Sequence, residues 1–163
     1  MDSQAHFAAT TDLYGHFGQI VQCLDCRLIY SSQRLSDQKL TELYRNQADL
    51  HYADEDTSRS INAYFCLNTI LEHRRSGKLL EIGSAAGYFL NAARLHFDCC
   101  GIELCQGAAE YSRKQLNLDV KSCRIEEAGF ADQTFDVVVM VDVIEHQLTA
   151  LLEFANVLLK AAD

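Results

Sequence analysis

From residue 78 onward, short apolar runs alternate with segments of helical periodicity, and this alternation constrains the fold more than any other feature of the chain. The run Lys78-Leu79-Leu80-Glu81-Ile82 stops at Gly83, and residues 99–102, 120–123 and 135–141 supply three further strand candidates. Between and after them, residues 89–95, 108–116 and 147–160 repeat apolar side chains at helical spacing. Strands separated by helices predict parallel βαβ units, because a parallel neighbour is reached only through a long crossover. The fourth run contains Val137, Val138, Val139, Met140 and Val141, a pattern that suits a strand buried on both faces.

The first 60 residues read differently and form a separate amino-terminal segment, with the alternating domain over residues 61–163. Ile20-Val21-Gln22 and Leu28-Ile29-Tyr30 flank Cys23-Leu24-Asp25-Cys26, which predicts a short β-ribbon around a knuckle. Ser36 is placed to cap a helix carrying Leu40, Leu43 and Tyr44 on one face. Residues 49–59 include Asp54-Glu55-Asp56 and little that is apolar, as a linker would. Residues 60–73 predict a second helix, with Ile61, Phe65, Asn68 and Leu71 on its apolar face and Gly77 just beyond it.

Composition removes several classes of function. Fourteen Lys and Arg stand against 23 Asp and Glu in 163 residues, a net charge of -9, which argues against a nucleic-acid partner. No run approaches the length of a membrane span, and Met1 is not followed by a basic and then apolar leader, so a cytoplasmic protein with no membrane partner is expected. Seven Cys is an odd and scattered number, which points to reduced thiols and not to a disulfide scaffold. A closed zinc site needs four ligands, and Cys23 and Cys26 lack a second Cys pair, so no metal is expected. The chain has no Pro, and its turns rest on Gly, Asn, Asp and Ser.

The chemistry concentrates where strands end. Glu81, Gly83, Ala85 and Gly87 make a small-residue turn between a strand and a helix, where a backbone approaches a ligand closely. Glu103 ends the next strand twenty residues after Gly83, the spacing at which a carboxylate accepts hydrogen bonds from ribose hydroxyls. Glu81 lies two residues before Gly83, where it would repel a pyrophosphate but welcome an ammonium or sulfonium group. Gly87 also falls outside a G-x-G-x-x-G register. Both points favour S-adenosylmethionine over a nicotinamide dinucleotide.

The fourth run continues into Asp142-Val143-Ile144-Glu145-His146, and with it the chain from Lys78 to Lys160 resembles the class I S-adenosylmethionine-dependent methyltransferases, in the group whose fourth strand ends in this motif. The resemblance implies a Rossmann-like α/β domain with a parallel sheet of about four strands, incomplete relative to that family's seven-stranded fold because the chain stops at Asp163. It implies that Glu81, Gly83, Ala85 and Gly87 wrap the methionine half of the cofactor, and that Glu103, followed by Leu104, holds the ribose. Ile125 and Glu126 would flank the adenine, with Asp142 and Val143 beside the transferable methyl group. Ala85 replaces the family's middle Gly, which is tolerated if its backbone angles are ordinary. The segment around Cys23 and Cys26 resembles the second knuckle of a zinc ribbon that precedes some of these enzymes, here a remnant.

The expected function is methyl transfer to a small-molecule or metabolite acceptor. His146 is the candidate base toward an acceptor hydroxyl, or equally a structural histidine at the mouth of the fold. The alternatives are a non-catalytic cofactor-binding fragment and, less favoured, a nicotinamide-dependent oxidoreductase. The uncharged run from Val137 to Val141, with no strand expected beyond it, suggests a homodimer paired through that edge.

Overall fold

The computed structural model describes residues 20–31, 36–46, 56–143 and 159. The chain divides into two compact units, residues 1–45 and 46–163. In the first, β1 (Ile20–Gln22) and β2 (Ile29–Ser31) pair antiparallel, with Val21 opposite Tyr30. Cys23 N–H donates to the Leu28 carbonyl at 2.8 Å, and Arg27 N–H donates to the Cys23 carbonyl at 3.1 Å. The knuckle expected around the two cysteines is therefore a tight loop. Helix α1 (Asp37–Asn46) starts as the sequence predicts, with Lys39 N–H donating to Ser36 Oγ at 3.3 Å.

The second unit is built on β3 (Lys78–Ile82), β4 (Asp98–Ile102), β5 (Val120–Lys121) and β6 (Val137–Met140). Their order is β5-β4-β3-β6, and every pairing is parallel. Helices α2 (Asp56–His73), α3 (Tyr88–Ala93) and α4 (Gln106–Gln115) accompany the strands. Consecutive Leu79 and Leu80 point to opposite faces of β3, and both are completely buried. Leu79 packs with Leu67, Phe89, Leu90 and Val139, whereas Leu80 packs with Ile102, Ile125, Ala128 and Phe135. A strand with two apolar faces has to be covered on both sides, and the sequence pattern follows from that. The expected parallel α/β sheet of four strands is present.

Three readings change. Helix α2 begins at Asp56, inside the stretch expected to be a linker. Its buried face is Ala63 and Leu67, flanked by Cys66, Ile70 and Leu71, while Ile61 and Phe65 are 51% and 68% exposed. The small Ala63 faces Ala92 and Ala93 in the same cluster, so close helix packing outweighs the bulk of Ile61 and Phe65 in choosing the face. At the other end of the chain, the helix expected over residues 147–160 lies mostly outside the described residues, but Leu159 forms a parallel bridge with Phe135. The bridge gives Leu159 itself a strand-like pairing just before the start of β6.

Candidate functional site

The strand order fixes where a ligand binds. From β3 the chain moves outward through β4 and β5, then returns to the opposite side of β3 with β6. The reversal opens a crevice at the carboxyl ends of β3 and β6, where loops leave in opposite directions. That crevice is bordered by residues 83–87 after β3 and 141–143 after β6.

The turn after β3 is held by its own backbone. Gly83 and Ser84 N–H donate to the Ile102 carbonyl at 2.8 and 3.0 Å, and Gly87 N–H donates to the Ser84 carbonyl at 2.8 Å. Gly83 has φ 76°, and a Cβ there would overlap the Val143 side chain, so glycine is required by both conformation and space. Ala85 has φ 45°, in the left-handed region. Its backbone is therefore not ordinary, contrary to the expectation, and its methyl group carries strain. Asp142 shares this conformation with φ 52° at the end of β6 and is exposed to solvent.

Glu103 ties the turn to the next loop. Its Oε2 accepts the Ala85 N–H at 2.7 Å and its Oε1 accepts the Cys105 N–H at 2.7 Å. One carboxylate thus staples the β3–α3 turn to the β4–α4 turn. Burial pushes the Glu103 pKa up, against the pull of the Cys105, Ala85 and Leu104 amides. Leu104 contributes through its backbone, beside the carboxylate.

Glu81 lies one step deeper. It is 4% exposed, and burial, together with the nearby Glu103 carboxylate, pushes its pKa up to about 8, opposed by the Leu90 N–H. Glu81 Oε2 and Ser84 Oγ are buried and have no hydrogen-bond partner among the described residues. Among the described residues, no Lys or Arg is ion-paired with Glu81 or Glu103. The floor of the crevice therefore carries, among the described residues, two carboxyl groups and no compensating cation.

The other expected residues divide into two sets. Ile125 is buried in the cluster that holds Ile102 and Val143, so it lines the same side of the sheet. Glu126 is exposed and ion-paired with Arg124 at 3.2 Å. His146 lies outside the described residues. One positioning residue escaped the sequence reading: Ser112 of α4, fully buried, whose hydroxyl proton is shared between the Ala108 carbonyl at 3.1 Å and the Ala85 carbonyl at 3.2 Å. The only sequence signal for it was a small polar residue on the same helical face as Ala108 and Ala109.

A doubly wound parallel sheet, a left-handed turn after its central strand and an acid after the next strand define a nucleotide-binding α/β domain. Residues 50–161 match the methyltransferase domain, and the chain belongs to that family. Its fold is similar to that of solved S-adenosylmethionine-dependent methyltransferases. One from Archaeoglobus fulgidus superposes with a TM-score of 0.57 at 18% identity, over 69% of this chain and 54% of that one. Magnesium protoporphyrin IX methyltransferase from Synechocystis, solved with bound S-adenosylmethionine, superposes with a TM-score of 0.53 at 9% identity, over 73% of this chain and 67% of that one. A Methanococcus maripaludis protein described as an S-adenosylmethionine-dependent methyltransferase gives a TM-score of 0.56 at 13% identity, over 81% of this chain and 63% of that one. No curated protein sequence matches the chain significantly.

Proposed function

We propose that this chain binds S-adenosylmethionine in the crevice at the ends of β3 and β6 and transfers its methyl group to a small-molecule acceptor. The observation that carries the reading is Glu103, buried just beyond β4, whose carboxylate joins the turns after β3 and β4 through the Ala85 and Cys105 amides at the edge of the crevice. That arrangement accepts two vicinal ribose hydroxyls while the turn after β3 takes the methionine half. The sulfonium of the bound cofactor presents an electrophilic methyl group. The chain's own residues position and desolvate the reactants, which supplies most of the rate of an in-line displacement. A cationic ligand can draw the proton off Glu81 and pair with its carboxylate, which a pyrophosphate cannot do, and this favours a sulfonium cofactor over a dinucleotide. Asp142 and Val143 end β6 beside Gly83 and border the methyl-bearing side. His146, four residues beyond Asp142, is the proposed proton acceptor for an acceptor hydroxyl.

Calorimetric titration of the full chain with S-adenosylmethionine and, in parallel, with NAD tests the cofactor assignment. Binding of the first and not the second is expected. Binding of NAD alone would overturn it. Transfer of a radiolabelled methyl group to a panel of small acceptors then tests turnover.

A further inference from the structure

Two unpartnered polar atoms lie together at the floor of the crevice. Glu81 is 4% and Ser84 3% exposed, and Glu81 Oε2 and Ser84 Oγ have no hydrogen-bond partner among the described residues. Glu81 of β3 stands in register with Gly101 of β4, and register partners on adjacent strands present their side chains on the same face. A Cβ on Gly101 would come within 2.9 Å of Ser84 Oγ and 2.6 Å of Leu90 Cδ1. Ser84 and Leu90 therefore occupy the space that a side chain opposite Glu81 would take. The glycine brings both orphaned atoms to one spot on one face of the sheet.

An ionised carboxylate with an unpartnered oxygen in such a place is costly, and the ordinary escape is to hold a proton. The flanking elements supply no cation that would make the charge tolerable. The turn over residues 83–87 and strand β6 contain no titratable side chain. Strand β4 contributes Cys99 on the same face, Cys100 on the opposite one and Asp98 at its far end. The Cys99 thiol, pushed up to about 12 by burial above all, is uncharged at neutral pH. Helix α3 offers Tyr88, and Arg94 just past it donates to the Leu116 carbonyl at 2.7 Å. Glu103, just beyond β4, repels a charge on Glu81. We propose that cofactor binding in this crevice is proton-coupled: Glu81 is a neutral acid in the free protein and releases its proton to solvent when the cationic cofactor occupies the site. The Glu81 O–H bond breaks, its electron pair stays on the carboxylate, and the proton passes to bulk water. The coupling rests on the cofactor assignment above and adds to it a proton stoichiometry and a direction of pH dependence. Affinity rises with pH up to about 8, where Glu81 of the free protein loses its proton unaided, and levels off above it.

The test is calorimetry of the full chain with S-adenosylmethionine at about pH 6.5, in two buffers of different ionisation enthalpy, whose difference in heat counts the protons released. About one proton per bound cofactor is expected, with affinity rising about tenfold between about pH 6 and about pH 7. Glu81→Gln, checked for folding by circular dichroism, is expected to bind without proton release and with a flat pH profile. On the unsubstituted chain, the infrared carbonyl band of a neutral carboxylic acid should disappear on saturation, a readout independent of how any variant folds. Binding with equal heats in both buffers, or a carboxylic acid band that survives saturation, would overturn the coupling and leave the cofactor assignment standing. Undiminished proton release from Glu81→Gln would also overturn it, since the proton would then come from Glu103. Absence of binding at every pH would remove the cofactor assignment and the coupling with it.

Discussion

At the start of β3, the Asp136 carboxylate is held from two sides, by Arg74 Nη2 at 2.8 Å and by the Lys78 N–H at 2.8 Å. Gly77 makes room for it, since a Cβ there would come within 2.5 Å of Asp136 Oδ2. At the opposite end of the sheet, Glu81 of β3 and Glu103 just beyond β4 are also buried, and among the described residues their partners are backbone amides, with Glu81 Oε2 unpartnered. The first carboxylate is neutralised within the fold and closes one end of the sheet. The other two leave the opposite end short of positive charge. Residues of one chemical type are thus structural at one end of a strand and available to a ligand at the other, and the difference lies in whether a guanidinium is within reach.

The largest expected effect falls on the turn. Gly83→Val places a branched side chain against Val143 at φ 76°, so binding of S-adenosylmethionine is expected to vanish from calorimetric titration. Normal affinity would show that the crevice after β3 is not the cofactor site.

Substitutions at the two carboxylates sharpen the contrast. Glu103→Ala is expected to cost about 1.5–3 kcal/mol of cofactor affinity, the scale of hydrogen bonds to a charged group. Asp136→Ala removes the shared partner of the Lys78 N–H and the Arg74 guanidinium and is expected to cost about 0.5–1.5 kcal/mol of folding stability. Among folded molecules it should leave affinity unchanged. If Asp136→Ala weakened binding as much as Glu103→Ala, the two ends would not be functionally distinct.

Glu81 makes the contrast pH-dependent. Its folded pKa of about 8 lies above the ordinary 4.5, so the folded ligand-free protein binds a proton that the unfolded chain has released. The resulting stability is fully present below 4.5 and is lost as pH rises through about 8. Urea unfolding of Glu81→Gln should show a flatter decline over that range than the unsubstituted chain. Parallel declines would place the charge penalty elsewhere.

Much of the site was legible because backbone geometry fixes it. A strand, a turn and a helix of given length put Glu103 twenty residues after Gly83, and this spacing can be read without knowing any contact. The strain at Ala85 was not legible, since a single alanine letter does not report φ. Nor was the partner of Asp136, because Arg74 reaches it from 62 residues away in sequence. The buried face of α2 was misread for a related reason: bulk suggested Ile61 and Phe65, whereas the fit of Ala63 against Ala92 and Ala93 depends on a helix elsewhere in the chain.

The smallest expected effect concerns Ala85. Ala85→Gly relieves a left-handed alanine but adds freedom to the unfolded chain, so its net gain in stability is expected to stay within about 1 kcal/mol. Thermal unfolding that showed a clear loss would mean that the methyl group has a packing role that outweighs its strain.

The central position of β3 also sets an order of assembly. It pairs with β4 twenty residues later and with β6 fifty-eight residues later. Loop-closure entropy makes the second encounter about 0.9 kcal/mol costlier than the first, before any difference in stiffness. The β3–β4 pair is therefore expected to form early, with β6 docking late onto an already paired strand. During that interval Val137, Val138 and Val139 face water in an extended, uncharged segment. The same apolar run that completes the sheet becomes the segment most able to find another chain, and recovery from denaturant should decline as protein concentration rises.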